Sequence, residues 1–247
     1  MRTFGWLVFC VSCFVGVIEA VELPPLPEVS CLRVEEAPVI DGRLDEAAWE
    51  RAPAIELIDC ETAGPARFLT KARLLHDDAF LYVAFELEDD YAWGTVGERD
   101  GPIWDEECVE VFLDPGGVGH YYFELNVSPK NVIYDSIILN RRTPEAPSKG
   151  FYGIPEWTMT GMRTGVFVEG ELDEPSGVSG WTVEYAIPFE ILYGLPNRPP
   201  QPGDTWRVNL YRIDTPEPGG KREHYAWSPT GRSAFHVPWR FGYLRFE

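Results

Sequence analysis

The sequence predicts an all-β fold with the strand spacing of a sandwich or barrel, accompanied by one or two short helices. Three observations predict it. From Ala66 onward, short apolar runs recur with turn signals between them, which is not the spacing of β-α-β units. Within those runs the apolar residues alternate with period two, so that each strand has one face suited to a core. No internal repeat, low-complexity linker or second composition regime interrupts the pattern, and one domain over residues 21–247 is expected.

Residues 1–20 read as a signal peptide. Arg2 supplies the positive start, Phe4 to Val17 the apolar stretch, and Ile18-Glu19-Ala20 a cleavage site. The stretch is too short for a membrane span, so a secreted or periplasmic protein is expected, with no membrane partner. The formal charge of the 247-residue chain is -19. It repels phosphate backbones, which excludes nucleic acid as a partner. Export makes disulfides admissible. Of Cys31, Cys60 and Cys108, the last sits inside an apolar strand, which leaves Cys31 and Cys60 as the pair placed to bridge.

In order, a short strand around Cys31 to Val34 precedes the Asp41-Gly42 turn. Asp45 is then the expected N-cap of a helix presenting Leu44, Ala48 and Trp49 to one end of the sheet core. Phe68 to His76 and Phe80 to Glu88 form a hairpin across His76-Asp77-Asp78-Ala79, with Leu81, Val83, Phe85 and Leu87 inward. In the strand from Cys108 to Leu113, Val109, Val111 and Leu113 face one way, and Cys108, Glu110 and Phe112 the other. A mid-strand carboxylate preceded by Trp104 is what a polar-ligand site needs, an apolar platform beside a strong acceptor.

Tyr121 to Val127 is the next strand, with Tyr122, Glu124 and Asn126 outward, and Asn131 to Ser136 follows it. Residues 140–160 show no period and read as a loop. Strands resume at Gly165 to Leu172, Trp181 to Ile187 and Thr205 to Asp214, with a helical turn at Phe189 to Leu192, and a last strand at Tyr243 to Phe246. Trp181 and Trp206 read as core. Glu124, Asn126, Asn209 and Tyr211 share the outward parity, so each lines a groove or meets water.

An ordered set of blocks carries a resemblance: I-D-G-R-L-D-E-A-A-W, D-D-A-F-L-Y-V-A-F, W-D-E-E-C-V-E-V-F-L-D-P, G-W-T-V-E-Y-A-I-P-F, P-G-D-T-W-R-V-N-L-Y-R-I-D, W-S-P and F-G-Y-L-R-F. Together they resemble the family 9 carbohydrate-binding modules. The resemblance implies an antiparallel β-sandwich of two sheets, immunoglobulin- or jelly-roll-like, that binds a glycan or polysaccharide end and holds structural calcium. It implies further that Trp104 and Phe235 clamp a sugar ring, with Glu110 as acceptor. Glu124 and Tyr211 stand where sugar-binding members carry Arg and Gln, and with Asn126 they complete the expected ligand-binding set.

Acidic loop residues offer oxygen ligands for calcium: Asp77, Asp78, Asp89, Asp90, Asp100 and Asp105. The ligands themselves are not assigned. The acids Asp105, Glu106 and Glu107, with Glu110, are adjacent in sequence and do not form a facing pair of the kind glycoside hydrolysis needs, so a solvated acidic turn is expected there. The four histidines show no metal-ligand spacing, and no nucleophile or phosphate-loop motif appears. The expectation is a non-catalytic module acting beside glycoside hydrolases in polysaccharide recognition or breakdown. Two other readings stand beside it: a structural or protein-interaction sandwich without a sugar site, and a haem-binding redox module using Met159 and Met162 as axial ligands.

Overall fold

Alternating β-branched, aromatic and polar residues give most of the chain a strand preference, and the computed structural model, which describes residues 21–247, is all-β. Its strands are β1 (Glu28–Arg33), β2 (Ile55–Glu56), β3 (Ile58–Asp59), β4 (Thr70–His76), β5 (Phe80–Glu88), β6 (Cys108–Asp114) and β7 (Tyr121–Val127). They continue as β8 (Ile133–Asn140), β9 (Phe151–Ile154), β10 (Arg163–Gly170), β11 (Val178–Pro188), β12 (Thr205–Asp214), β13 (Glu223–Ala226) and β14 (Gly242–Phe246). One α-helix, α1 (Ala47–Arg51), and three short 3-10 turns complete the elements. No helix among the described residues is long and apolar enough to cross a membrane. The signal peptide expected over residues 1–20 lies outside the described residues.

The hydrogen-bonded order is β10-β11-β5-β4-β1-β14-β12-β6-β7-β8-β9, with β2, β3 and β13 attached at its sides. β1 joins two wings. Its first four residues pair with β14, from Glu28↔Tyr243 to Cys31↔Phe246, and its last two with β4. Both of these ladders are parallel, where only antiparallel pairing was expected; every other named ladder is antiparallel. The departure arises because β1 lies far in sequence from both neighbours, so no tight hairpin dictates its direction.

The wings share one core. Leu81, Val83, Phe85 and Leu87 of β5 belong to the same buried cluster as Val109, Val111 and Leu113 of β6 and Phe123, Leu125 and Val127 of β7. Each such side chain contributes roughly 1.5–3 kcal/mol on burial. The Tyr185 hydroxyl of β11 donates to the Val109 carbonyl of β6 at 3.1 Å, tying one wing to the other. Trp181 and Trp206 are in this core as expected, and Met159 is buried there with Met162 packed against it, so both thioethers serve as filler.

Three local expectations change. The residue before α1 is Glu46, not Asp45, because the Glu46 carboxylate instead accepts the Val39 N–H at 2.8 Å and fixes the incoming chain. The helix lies on the outer face of β5 and β11, not at the end of the core: Trp49 packs with Tyr82, Ala84 and Ala186, and its Nε1 donates to Glu184 at 2.9 Å. Residues 140–160 contain β9, a four-residue edge strand too short to display alternation, paired with β8 from Ile137↔Ile154 to Asn140↔Phe151.

The Cys31–Cys60 bridge does not form, and Cys31, Cys60 and Cys108 are free buried thiols. Cys31 points into the core between the wings, whereas Cys60 belongs to a second cluster and sits 3.2 Å from the Thr230 hydroxyl. That second cluster lies on the opposite face of β6, β7, β8 and β12 and includes Phe112, Tyr122, Tyr134 and Tyr211. Phe235 and Phe241, from the segment between β13 and β14, cover it. Residues of outward parity are therefore buried and do not meet bulk water: Glu124, Asn126, Asn209 and Tyr211 are all covered.

Candidate functional site

Glu110 and Glu124 come to the same place because of parity and register. In the β6–β7 ladder Glu110 pairs with Asn126 and Phe112 with Glu124, so the two carboxylates are diagonal neighbours on the face away from the main core. On the other side Glu110 pairs with Tyr211 of β12. Both acids are lined up under a cleft of about 380 Å³. Glu110 is 2% exposed and Glu124 6%.

Aromatic rings wall the cleft. Trp104, in the 3-10 turn Ile103–Asp105, stands edge-on to Tyr134 of β8, with centroids 4.7 Å apart and planes at 71°. Its turn is pinned by buried Ile103 below and by Arg222, which donates to the Trp104 carbonyl at 3.0 Å and pairs with Asp105 at 2.9 Å. Phe235 forms another wall, and Phe151 of β9 a further one. His236 stacks on Phe151 at 3.6 Å between centroids, and the Arg142 guanidinium lies 4.9 Å over the same ring.

Four of the six expected ligand-binding residues, Trp104, Glu110, Glu124 and Phe235, thus line one cleft. The other two support it from beneath. Tyr211 is wholly buried and lies under Phe235, and Asn126 donates from Nδ2 to Glu124 Oε1 at 3.1 Å. Sequence reasoning missed Tyr134, Arg142, Phe151, His224 and His236, which also line the cleft. Tyr134 had a signal, since it shares the alternation of β8 and pairs with Asn126. Arg142 and Phe151 fall in the aperiodic stretch and had none.

The electrostatics follow from burial. Desolvation, then the charge of Glu124, holds the Glu110 carboxyl well above the usual range. Glu124 is pushed up to about 7 by desolvation, with the Asn126 hydrogen bond opposing. His236 is pushed down to about 3 by burial and by Arg142, so it is neutral at physiological pH. Its Nδ1 is 2.8 Å from the Tyr122 hydroxyl, and its Nε2 lies 3.8 Å from Glu124 Oε2, too far for a hydrogen bond.

The acids expected to bind calcium have protein partners. Asp77 accepts the Ala79 and Phe80 N–H groups and the Tyr82 hydroxyl, each at 2.7 Å. Asp78 pairs with Arg33, Asp90 with Arg67, and Asp105 with Arg222. Asp100 Oδ2 is 3.9 Å from Arg99. Glu107 is fully buried, where a solvated turn was expected, and Glu106 accepts the Thr95 and Val96 N–H groups.

One group of described carboxylates, Asp89, Glu107 and Asp214, has its oxygens within 4.8 Å of one another. Arg212 already lies among them, 2.9 Å from Asp89 and 3.6 Å from Asp214. Its other amino group donates to Thr70 and to the Glu88 carbonyl. This donor set does not fit a calcium ion as it stands, because a guanidinium fills the place of the cation.

The sequence model of the family described as "Carbohydrate family 9 binding domain-like" matches residues 40–247. A candidate carbohydrate-binding protein from Bacteroides uniformis superposes with a TM-score of 0.70 at 18% identity, over 90% of this chain and 100% of that one. A family 9 carbohydrate-binding module from Caldicellulosiruptor kristjanssonii, in complex with cellotriose, gives a TM-score of 0.61 at 16% identity over 90% of this chain and 94% of that one. An "Extracellular protein" of Arthroderma benhamiae is 27% identical over 181 residues, which is 68% of this chain and 74% of the relative.

Proposed function

From the premise that this chain belongs to the carbohydrate family 9 binding domain-like family, we propose that it is an exported, non-catalytic carbohydrate-binding module. Trp104 and Phe235 hold a sugar ring between them, and Glu110 and Glu124 take its hydroxyls. The observation that carries this reading is that both aromatics line one cleft with the two carboxylates. Sugar C–H faces pack on aromatic planes, and convergent acceptors fix the ring's orientation. The two wings with a shared core are read as the two sheets of a sandwich, joined at an edge by β1.

Binding without hydrolysis is supported by the placement of the acids. Glycoside cleavage uses two carboxyls flanking the scissile bond, one on each side of it. Glu110 and Glu124 instead lie side by side on one sheet face. Secretion is supported by the apolar leader and by a relative described as extracellular. In the cluster of Asp89, Glu107 and Asp214, Arg212 is read as the resident cation in place of calcium.

A glycan array followed by calorimetry on the best ligand tests the proposal. The wild type binds, and Trp104→Ala weakens binding about tenfold or more, the loss of roughly 1.4 kcal/mol of ring packing. Equal affinity for wild type and variant would remove the clamp, and an array without any bound glycan would leave the fold serving protein interaction.

A further inference from the structure

The floor of the cleft carries more acidic groups than a neutral sugar needs. Glu110 and Glu124 are both more than nine-tenths buried, on adjacent strands and on one face. The hydrogen-bond partner of Glu110 is the Cys108 thiol, a weak donor at 3.6 Å. Glu124 has the Asn126 amide on one oxygen, and its other oxygen faces the neutral ring of His236. Among the described residues no Lys or Arg lies within ion-pair distance of either acid. Arg142 lines the same cleft but is engaged elsewhere, with its guanidinium over Phe151 and its Nε donating to the Lys149 carbonyl at 2.9 Å.

Building on the sugar-binding reading, we infer that this cleft selects sugars bearing a protonated amine, with the ammonium placed against Glu110 and Glu124 and the ring against Trp104 and Phe235. Buried carboxylates are costly when unpaired and strongly favourable to an incoming cation, because solvent screens them little. An ammonium has three donors, and the two acids offer free lone pairs to receive them. The overall charge of -19 draws such a ligand in and works against uronic acids. Burial raises both acids in the free cleft, and the charge of Glu124 raises Glu110 further; an arriving ammonium favours their ionised forms, so binding releases protons at neutral pH.

Calorimetry with glucosamine, glucose and N-acetylglucosamine tests the inference, since acetylation removes the charge and keeps the ring. Glucosamine is expected to bind at least about tenfold more tightly than either neutral sugar, with a heat that varies with the ionisation enthalpy of the buffer. In Glu124→Gln and in Glu110→Gln, which also weaken the hold on hydroxyls and so lower the affinity for both sugars, the preference for glucosamine over glucose falls to about twofold or less. Glucosamine binding no tighter than glucose in the wild type would overturn the inference and leave the sugar-binding module intact. Failure of all three sugars to bind would overturn the inference, and the glycan array decides the sugar-binding reading by itself.

Discussion

Phe235 lies flat on Tyr211, with ring centroids 4.0 Å apart and planes inclined by 11°, and the Tyr211 hydroxyl donates to the Phe235 carbonyl at 2.9 Å. A wall of the cleft is therefore set by a wholly buried ring that the ligand does not reach. Tyr211→Phe keeps the stack and loses the donor. It is expected to cost about 1 kcal/mol of stability, with sugar affinity nearly unchanged. Tyr211→Ala removes the platform, costs about 3–5 kcal/mol, and lets Phe235 sink away from the ligand, so affinity falls as well. Thermal unfolding and calorimetry on both variants separate the two effects; equal affinity in wild type and Tyr211→Ala would show that Phe235 needs no support.

The division of labour between Phe235 and Tyr211 was only half legible in the sequence. Alternation in β6 and β7 reports which residues share a face, and it placed Glu110, Glu124 and Asn126 together correctly. It cannot report what covers that face. The covering residues come from distant segments: Phe235 and His236 between β13 and β14, and Phe151 from an edge strand of four residues. Burial of Glu124 and Tyr211 was invisible for that reason. The Trp104 to Glu110 spacing was readable because turn and strand are contiguous. Arg142 was not, since its position follows from the β8–β9 pairing alone.

Stability should fall as pH rises from about 4.5 to about 7. A carboxylate whose folded pKa is raised binds a proton in the folded state that the unfolded chain has already released. Its contribution is thus fully present below the unfolded pKa and lost as pH climbs through the folded one. Glu124, pushed up to about 7, accounts for on the order of 3 kcal/mol. Glu110 and Glu184 shift in the same direction. The melting temperature should drop across this window by roughly 2–4 °C per kcal/mol. In Glu124→Gln the drop should be smaller and the variant more stable than wild type at pH 8. A flat wild-type profile would mean that the acids are solvated.

All three cysteines of residues 21–247 should titrate as free thiols after denaturation, and none before. Cys31 and Cys108 are fully buried, and desolvation holds both thiols well above their usual range. Burial similarly pushes Cys60 up to about 11. Thiolate, the reactive form, is scarce at all three. Thiol-reagent counts on native and denatured protein, without reductant, check this. A denatured count of one would reinstate the Cys31–Cys60 bridge.

The buried arginine gives the sharpest test of how the two wings are held at one end. Arg212 has Asp89 and Asp214 as ion-pair partners and Thr70 and the Glu88 carbonyl as acceptors, while Trp181 donates to the same Asp89 oxygen at 2.9 Å. Removing the guanidinium leaves carboxylates buried without a cation, a loss of about 3–5 kcal/mol. Glu107 is held well above the usual carboxylate range first by burial and then by Asp89, and loss of Arg212, which draws it down, raises it further. If Arg212 serves as the cation of the cluster, the wild type should melt at the same temperature with chelator or with millimolar calcium. Arg212→Ala, by contrast, opens three carboxylates around a vacant centre, a donor set suited to a hard divalent ion. Its melting temperature should then rise with added calcium, by RT ln(1 + [L]/Kd). A wild type destabilised by chelation would place calcium in the native protein and reverse this assignment.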